Sequence, residues 1–149
     1  MPARRPSAGM RDVYENTVRF AETDAQGIVF YGNYLTFQDE AFNAFMEAIG
    51  FHYDELRRRD WDVHVVNVEL NYRSQAGFRD RLVHGMRIAS IGESSIEFEY
   101  ECRRADDERT IVDGTVTHAA VDDGGETATV PQDFREAVVE FQDEPPAPV

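Results

Sequence analysis

Residues 33–49 read NYLTFQDEAFNAFMEAI, and this stretch decides the fold. Tyr34, Phe37, Ala41, Phe42, Phe45, Met46 and Ile49 recur at three- and four-residue steps, the spacing of one helix face kept up for about four and a half turns. Asn33 is a favourable N-cap, and Gly50 stands where a left-handed C′ residue would stop the helix. Aromatic residues at that spacing describe a core-facing stripe and give no cofactor signal.

On either side of this helix the period changes to two. Upstream, Val13–Ala21 (VYENTVRFA) sets Val18 and Phe20 on one face, as a first strand would. Downstream, WDVHVVNVELNYRS alternates Val66, Val68, Leu70 and Tyr72 with polar residues. RLVHGMRIASI, SSIEFEYECRR and TIVDGTVTHAAV follow, with Ile96, Phe98, Tyr100 and Cys102 sharing a face. The breaks SQAGFRD, GESS and ADDE are short and polar, which predicts antiparallel neighbours. YDELRRRD after the helix suggests a short extra turn, and VPQDFREAVVEF a closing helix with Pro131 in its first turn and Phe134, Val138 and Phe141 on one side.

The order strand, long helix, four strands, short helix predicts an α+β architecture: a five-stranded antiparallel sheet wrapped around one long central helix. A chain of 149 residues affords one core, burying roughly 68–70% of the unfolded chain's surface. No repeat or linker divides residues 13–142, read as one domain. Residues 1–12 (MPARRPSAGMRD) have no apolar run behind their arginines, so they read as a disordered lead-in and not a secretory signal; 143–149 (DEPPAPV) read as a flexible tail. No apolar run approaches the about 20 residues of a spanning helix. Membrane insertion is not expected, and the cytoplasm is the default location.

Acidic residues number 29 against 15 basic ones, a net charge of -14, and every basic residue is Arg. Such a chain repels itself in dilute buffer, whereas at about 1 M salt the screening length falls to about 3 Å. The composition is that expected of a halophile, or of an acidic mesophilic protein from a GC-rich genome. Nucleic acid is excluded as a partner, because phosphate backbones call for a basic face. One cysteine, Cys102, makes no internal disulfide, and no Cys/His spacing matches a metal site. His52, His64, His84 and His118 are scattered singly and read as ordinary strand or loop residues.

Immediately before the helix stands Glu22–Tyr34, ETDAQGIVFYGNY. Taken alone, Asp24 in Asp-Ala-Gln-Gly is a turn residue. Its position adds a second reading. The segment delivers the chain to the mouth of the longest helix, where backbone N–H groups lack internal partners and carry partial positive charge. Such an end stabilises negative charge developing on a carbonyl oxygen. An acyl group aimed at it would lie near the Asp24 carboxylate, which could attack the carbonyl or draw a proton from water that does. A thioester suits this arrangement, since its leaving thiolate needs little help from an acid.

The run Asp24-Ala25-Gln26-Gly27-Ile28-Val29-Phe30-Tyr31-Gly32-Asn33-Tyr34 resembles the signature of the 4-hydroxybenzoyl-CoA thioesterase branch of the hot-dog fold superfamily, which includes small acyl-CoA thioesterases associated with the Tol-Pal system. Tyr72-Arg-Ser-Gln-Ala-Gly-Phe-Arg-Asp80 resembles the same family's Tyr-x-x-Pro-Ala-x-x-x-Asp, with Gln75 in place of Pro, and the likeness extends to Pro131. The resemblance implies a hot-dog fold and an acyl-CoA thioesterase that needs no cofactor beyond its CoA thioester substrate. Asp24 would be the catalytic carboxylate, and the Tyr31 backbone N–H would polarise the carbonyl. Gly27, Ile28, Val29, Phe30, Gly32, Asn33 and Tyr34 would shape the substrate site, with Ser94 and Ser95 against the pantetheine arm and Asp39 in support. It also implies a homodimer or homotetramer with active sites at the subunit interface, which agrees with the need to cover an open sheet edge.

One departure concerns the loop Ile91-Gly-Glu-Ser-Ser95, which lacks the basic residues several relatives place there for CoA phosphates. Arg57-Arg58-Arg59, Arg73, Arg87 and Arg103-Arg104 are the candidate replacements, against a reading of each as solvated or salt-bridged. Two other functions fit the fold. A hot-dog hydratase or dehydratase would need a His at the helix entrance, and none lies between Met1 and Gly50. A non-catalytic acyl-CoA-binding module would bind without releasing thiol. Cys102, mid-strand and without a basic neighbour in sequence, is not expected to be a nucleophile.

Overall fold

The computed structural model describes residues 9–142 and 144–147. Strand β1 (Arg11–Thr17) is followed by a single 3-10 turn (Phe20–Glu22) and the long helix α1 (Asn33–Ala48). A short helix α2 (Tyr53–Arg58) leads into β2 (Asp62–Tyr72), β3 (Arg81–Ile91), β4 (Ser95–Arg104) and β5 (Arg109–Val121), and α3 (Gln132–Gln142) closes the chain. The strands form one antiparallel sheet in the order β1-β3-β4-β5-β2. The sheet lies around α1, the arrangement of the hot-dog fold.

Helix α1 buries Tyr34, Phe37, Ala41, Phe45 and Met46, as its spacing predicts, together with Gln38. Phe45 meets Phe98 and Phe141 edge to face at 5.5 and 5.3 Å, so one ring joins the helix to the sheet and to α3. The helix stops at Gly50, whose φ is 84°. Phe51 N–H donates to Met46 C=O and Gly50 N–H to Glu47 C=O, the paired bonds of a glycine-terminated helix end. Its start differs from expectation. Gly32 is the N-cap, and Asn33 lies inside the first turn with its Nδ2 donating to Glu22 C=O at 2.9 Å.

The lead-in is shorter than expected: Arg11 and Asp12 pair with Met86 and Gly85 in the sheet, and Asp12 takes a two-oxygen bond from Arg103. Residues 1–8 fall outside the described residues. At the other end of β1 the chain leaves the sheet early, because Val18 N–H donates to Asp80 C=O and Arg79 N–H to Val18 C=O. Phe20 therefore points outward, 76% exposed, and does not share the buried face of Val18.

Strand β2 forms where it was expected, but its burial does not alternate: it is a sheet edge that α1 does not shelter, its register shifts between Val65 and Asn67, and Val65 and Val66 are 51% and 62% exposed with Val68 and Tyr72 also open. On the opposite side β1 covers β3 only as far as Met86. The remainder of that edge is closed by the end of the chain. Gln142 Oε1 accepts Ile88 N–H and its Nε2 donates to Ile88 C=O, each at 2.9 Å, and Ala147 N–H donates to Ala89 C=O at 2.7 Å. Ala147 of the expected tail is thus bound to the sheet, and Glu144 C=O accepts from Gln142 Nε2; 143, 148 and 149 fall outside the described residues.

Two histidines are sealed in the core. His84 Nε2 donates to Asn16 Oδ1 and its Nδ1 accepts the Tyr100 hydroxyl at 2.7 Å. His118 stacks on Phe42 at 4.4 Å, and neither of its ring nitrogens has a partner among the described residues. Burial lowers the pKa of His84 to about 3 and that of His118 to about 4. Both folded values lie below the ordinary 6.5, so the native state refuses protons that the unfolded chain accepts. Stability is full above pH 6.5 and falls as pH drops through 6.5 toward 4 and 3, at up to about 1.4 kcal/mol per pH unit for each histidine. Urea unfolding between pH 7 and 5 is expected to show this slope, with a shallower one in His118→Phe; pH-independent stability over that range would contradict it.

Candidate active site

Thr23 to Val29 form a tight hairpin ahead of α1. Gly27 N–H donates to Asp24 C=O and Asp24 N–H to Ile28 C=O, both at 2.9 Å, while Gly27 takes φ 81°. A three-residue loop of this type needs a left-handed residue at its end, which glycine supplies without strain. Asp24 Oδ1 accepts Gln26 N–H at 2.8 Å, so the carboxylate folds its own turn. The side chain is half-buried, and its Oδ2 has no hydrogen-bond partner among the described residues.

The second arm of the hairpin runs directly into α1. Phe30 N–H donates to Glu22 C=O and Asn33 N–H to Phe30 C=O. Between them, the N–H groups of Tyr31 and Gly32 have no acceptor among the described residues. These are the open donors that a helix start leaves, at its electropositive end. The Tyr31 carbonyl accepts the Tyr72 hydroxyl at 3.0 Å, and the Tyr72 ring lies edge-on to Tyr31 and Tyr34 at 6.4 and 5.8 Å. A bond to that carbonyl fixes the Tyr31–Gly32 peptide and polarises the Gly32 N–H it carries. Burial raises the Tyr72 pKa and keeps the phenol a donor.

Tyr72 begins the second quoted motif, whose loop braces the first. Val29 N–H donates to Ala76 C=O at 2.9 Å, and Ile28 pairs with Gly77. Asp80 Oδ2 accepts Gly77 N–H at 2.8 Å, and Arg104 donates to Gln75 C=O at 2.7 Å. The turn therefore holds without the family's proline, because its carbonyl is tied from β4.

The expected site residues divide into groups. Asp24, Gly27, Ile28, Phe30, Tyr31, Gly32 and Asn33 lie together along the hairpin and helix mouth, with Phe30 and Tyr31 exposed. Val29 and Tyr34 are buried in the core. Ser94 and Ser95 sit at the opposite end of β4 from Arg104, which contacts the bracing loop; a strand of 10 residues separates them by about 30 Å. Within one chain they cannot meet Asp24. Asp39 is exposed on α1. Cys102 is buried, and that burial pushes its thiol up to about 12, which removes it as a nucleophile. Sequence reasoning missed the bond of Tyr72 to the helix mouth, although the motif spacing drew attention to the residue.

The candidate arginines are engaged elsewhere. Arg58 pairs with Glu55, Arg59 with Asp133, Arg73 with Asp113, Arg87 with Glu99, Arg103 with Asp12 and Arg104 with Asp107. Arg57 donates to the Tyr53 hydroxyl. Among the described residues no group of three His, Cys, Asp or Glu side chains could hold a metal ion, and no helix is long and apolar enough to cross a membrane.

A five-stranded antiparallel sheet wrapped around one long helix defines the class as a hot-dog protein, and the family it matches makes it one of the thioester hydrolase type. The chain belongs to the thioesterase-like superfamily, whose family model matches residues 18–138. A curated relative from Aquifex aeolicus, an esterase by name only, is 30% identical over 88 residues, covering 59% of this chain and 69% of that protein. The 1,4-dihydroxy-2-naphthoyl-CoA hydrolase of Synechococcus elongatus is 27% identical over 92 residues, 58% of this chain and 65% of its own. Among solved structures, a gentisyl-coenzyme A thioesterase superposes with a TM-score of 0.74 at 26% identity, over 82% of this chain and 98% of that one.

Proposed function

We propose that the chain is an acyl-CoA thioesterase that hydrolyses a small acyl or aromatic acyl thioester to the free acid and CoA. One observation carries this reading. The N–H groups of Tyr31 and Gly32, which have no acceptor among the described residues, follow the hairpin arm whose turn holds Asp24, one of whose oxygens has no partner among those residues either. The substrate carbonyl oxygen would take those N–H bonds, which strengthen as it gains negative charge. Asp24 would then act in one of two ways. As nucleophile, its carboxylate adds to the carbonyl carbon, the C–S bond breaks to release CoA thiolate, and water hydrolyses the resulting anhydride. As base, it takes a proton from the water that attacks, and the collapsing intermediate expels the thiolate. Neither route calls for a metal or a further cofactor.

The exposed valines of β2 support a homodimer paired through that edge, since an open apolar edge strand invites a second copy. Such a copy would also be the means of bringing Ser94 and Ser95 near an active site. The cytoplasm, where CoA thioesters are at hand, is the proposed location. A panel of aliphatic, benzoyl and phenylacetyl-type CoA thioesters, assayed for thiol release in concentrated salt, tests the function. At least one is expected to be cleaved far above the buffer rate; saturable binding across the panel with no thiol release would replace the enzyme by a binding module.

A further inference from the structure

With its candidate arginines paired elsewhere, the chain shows another place for the far end of a CoA molecule. Phe20 and Phe78 are 76% and 48% exposed and contact each other edge to face, with ring centroids 5.9 Å apart at 85°. The Arg79 guanidinium lies over the Phe78 ring at 5.0 Å. Arg79 has no carboxylate partner among the described residues, in a protein of net charge -14. Two touching exposed rings form an apolar patch, and the guanidinium over one of them adds a cation to it.

The surrounding backbone is built to present them. Arg79 holds a φ of 72°, the left-handed region that a non-glycine residue seldom takes. Its N–H is pinned to Val18 C=O at 3.0 Å, Asp80 N–H donates to Gly77 C=O at 3.0 Å, and Gly77 N–H is held by Asp80 Oδ2 at 2.8 Å. The nearby Arg19 is neutralised by Glu22 at 3.1 Å, so the free charge of the patch is that of Arg79. The patch adjoins the signature hairpin, because Gly77 pairs directly with Ile28.

We propose that Phe20, Phe78 and Arg79 form the binding site for the nucleotide end of CoA. The purine stacks on the open face of one ring with the other, perpendicular ring against its edge, and Arg79 binds a phosphate. This rests on the acyl-CoA reading of the hairpin, and the chemistry matches the ligand part by part: an aromatic base finds an aromatic platform, and a polyanion finds a guanidinium that has no carboxylate partner among the described residues. The flexible pantetheine arm carries the thioester from this surface to the helix mouth. The nucleotide supplies binding that is the same in ground and transition states, so its loss raises KM and leaves kcat in place.

The test compares the wild type with Phe78→Ala and with Arg79→Asn, a residue that tolerates the left-handed backbone. Each protein is titrated calorimetrically with free CoA and assayed on two thioesters of the same acyl group, one of CoA and one of N-acetylcysteamine, which has no nucleotide. Each variant is expected to weaken CoA binding and raise KM for acyl-CoA roughly tenfold, with kcat unchanged and the N-acetylcysteamine thioester cleaved as by the wild type. Unaltered CoA affinity in both variants, an equal loss on both thioesters, or a wild type that does not bind CoA would overturn the site. A wild type that binds CoA through these residues but cleaves neither thioester would uphold the site and bring down the catalytic reading instead.

Discussion

Asp24→Asn is expected to fold and bind acyl-CoA as the wild type does while releasing thiol on the order of 10²–10⁴ times more slowly. The two halves of this expectation come from the two oxygens of one side chain. Oδ1 accepts Gln26 N–H, and an asparagine carbonyl does the same, so the hairpin and the helix entrance it positions persist. The charge on the other oxygen is what both chemical routes require, and an amide neither attacks a thioester nor accepts the proton of water at neutral pH. Thermal melting and CoA titration report the first half, and steady-state thiol release the second. A variant that kept its rate within a factor of a few would remove Asp24 from the chemistry and leave it as a turn former.

The largest loss of stability is expected from Gly114→Ala in β5. Gly114 pairs with Tyr100 on one side and Leu70 on the other. A Cβ at this position would lie 1.9 Å from Glu69 O, 2.9 Å from Glu69 C and 3.0 Å from Leu70 Cα, all of them backbone atoms of β2. No side chain can swing aside to make room. Relief requires parting β2 from β5, so the substitution is expected to cost at least about 3 kcal/mol and to lower the Tm by roughly 6–12 °C. Denaturant unfolding measures this directly, and a melting point within 2 °C of wild type would show that the two strands have slack between them.

Local patterns made much of this protein legible. The period of α1, the stop at Gly50 and the alternation of β4 all depend on neighbours a few residues apart, and each appears in the structure close to where it was placed. The Asp24 turn belongs to the same class, being closed within Asp24-Ala-Gln-Gly-Ile28. What stayed hidden depends on distant partners. Arg73 and Arg103 are taken by Asp113 and Asp12, 40 and 91 positions away, so sequence could offer them only as free cations. Tyr72 reaches the helix mouth across 41 positions. Asn33 misled for another reason: its residue type suits a cap, but Glu22 C=O lies within reach and claims its amide. The packing of Gly114 could not be inferred either, since only the register of β2 against β5 reveals the crowding.

The amide of Gln142 imitates a strand residue for Ile88, which lies 54 positions earlier in the chain. During synthesis at about 5–20 residues per second, those positions take roughly 3–11 s to be made. Throughout that interval the upper half of β3 is without its seal, and any nascent neighbour on the same messenger could dock there. Until α3 docks, the stretch of β3 beyond Met86 is an uncovered edge of the kind that invites pairing with another chain.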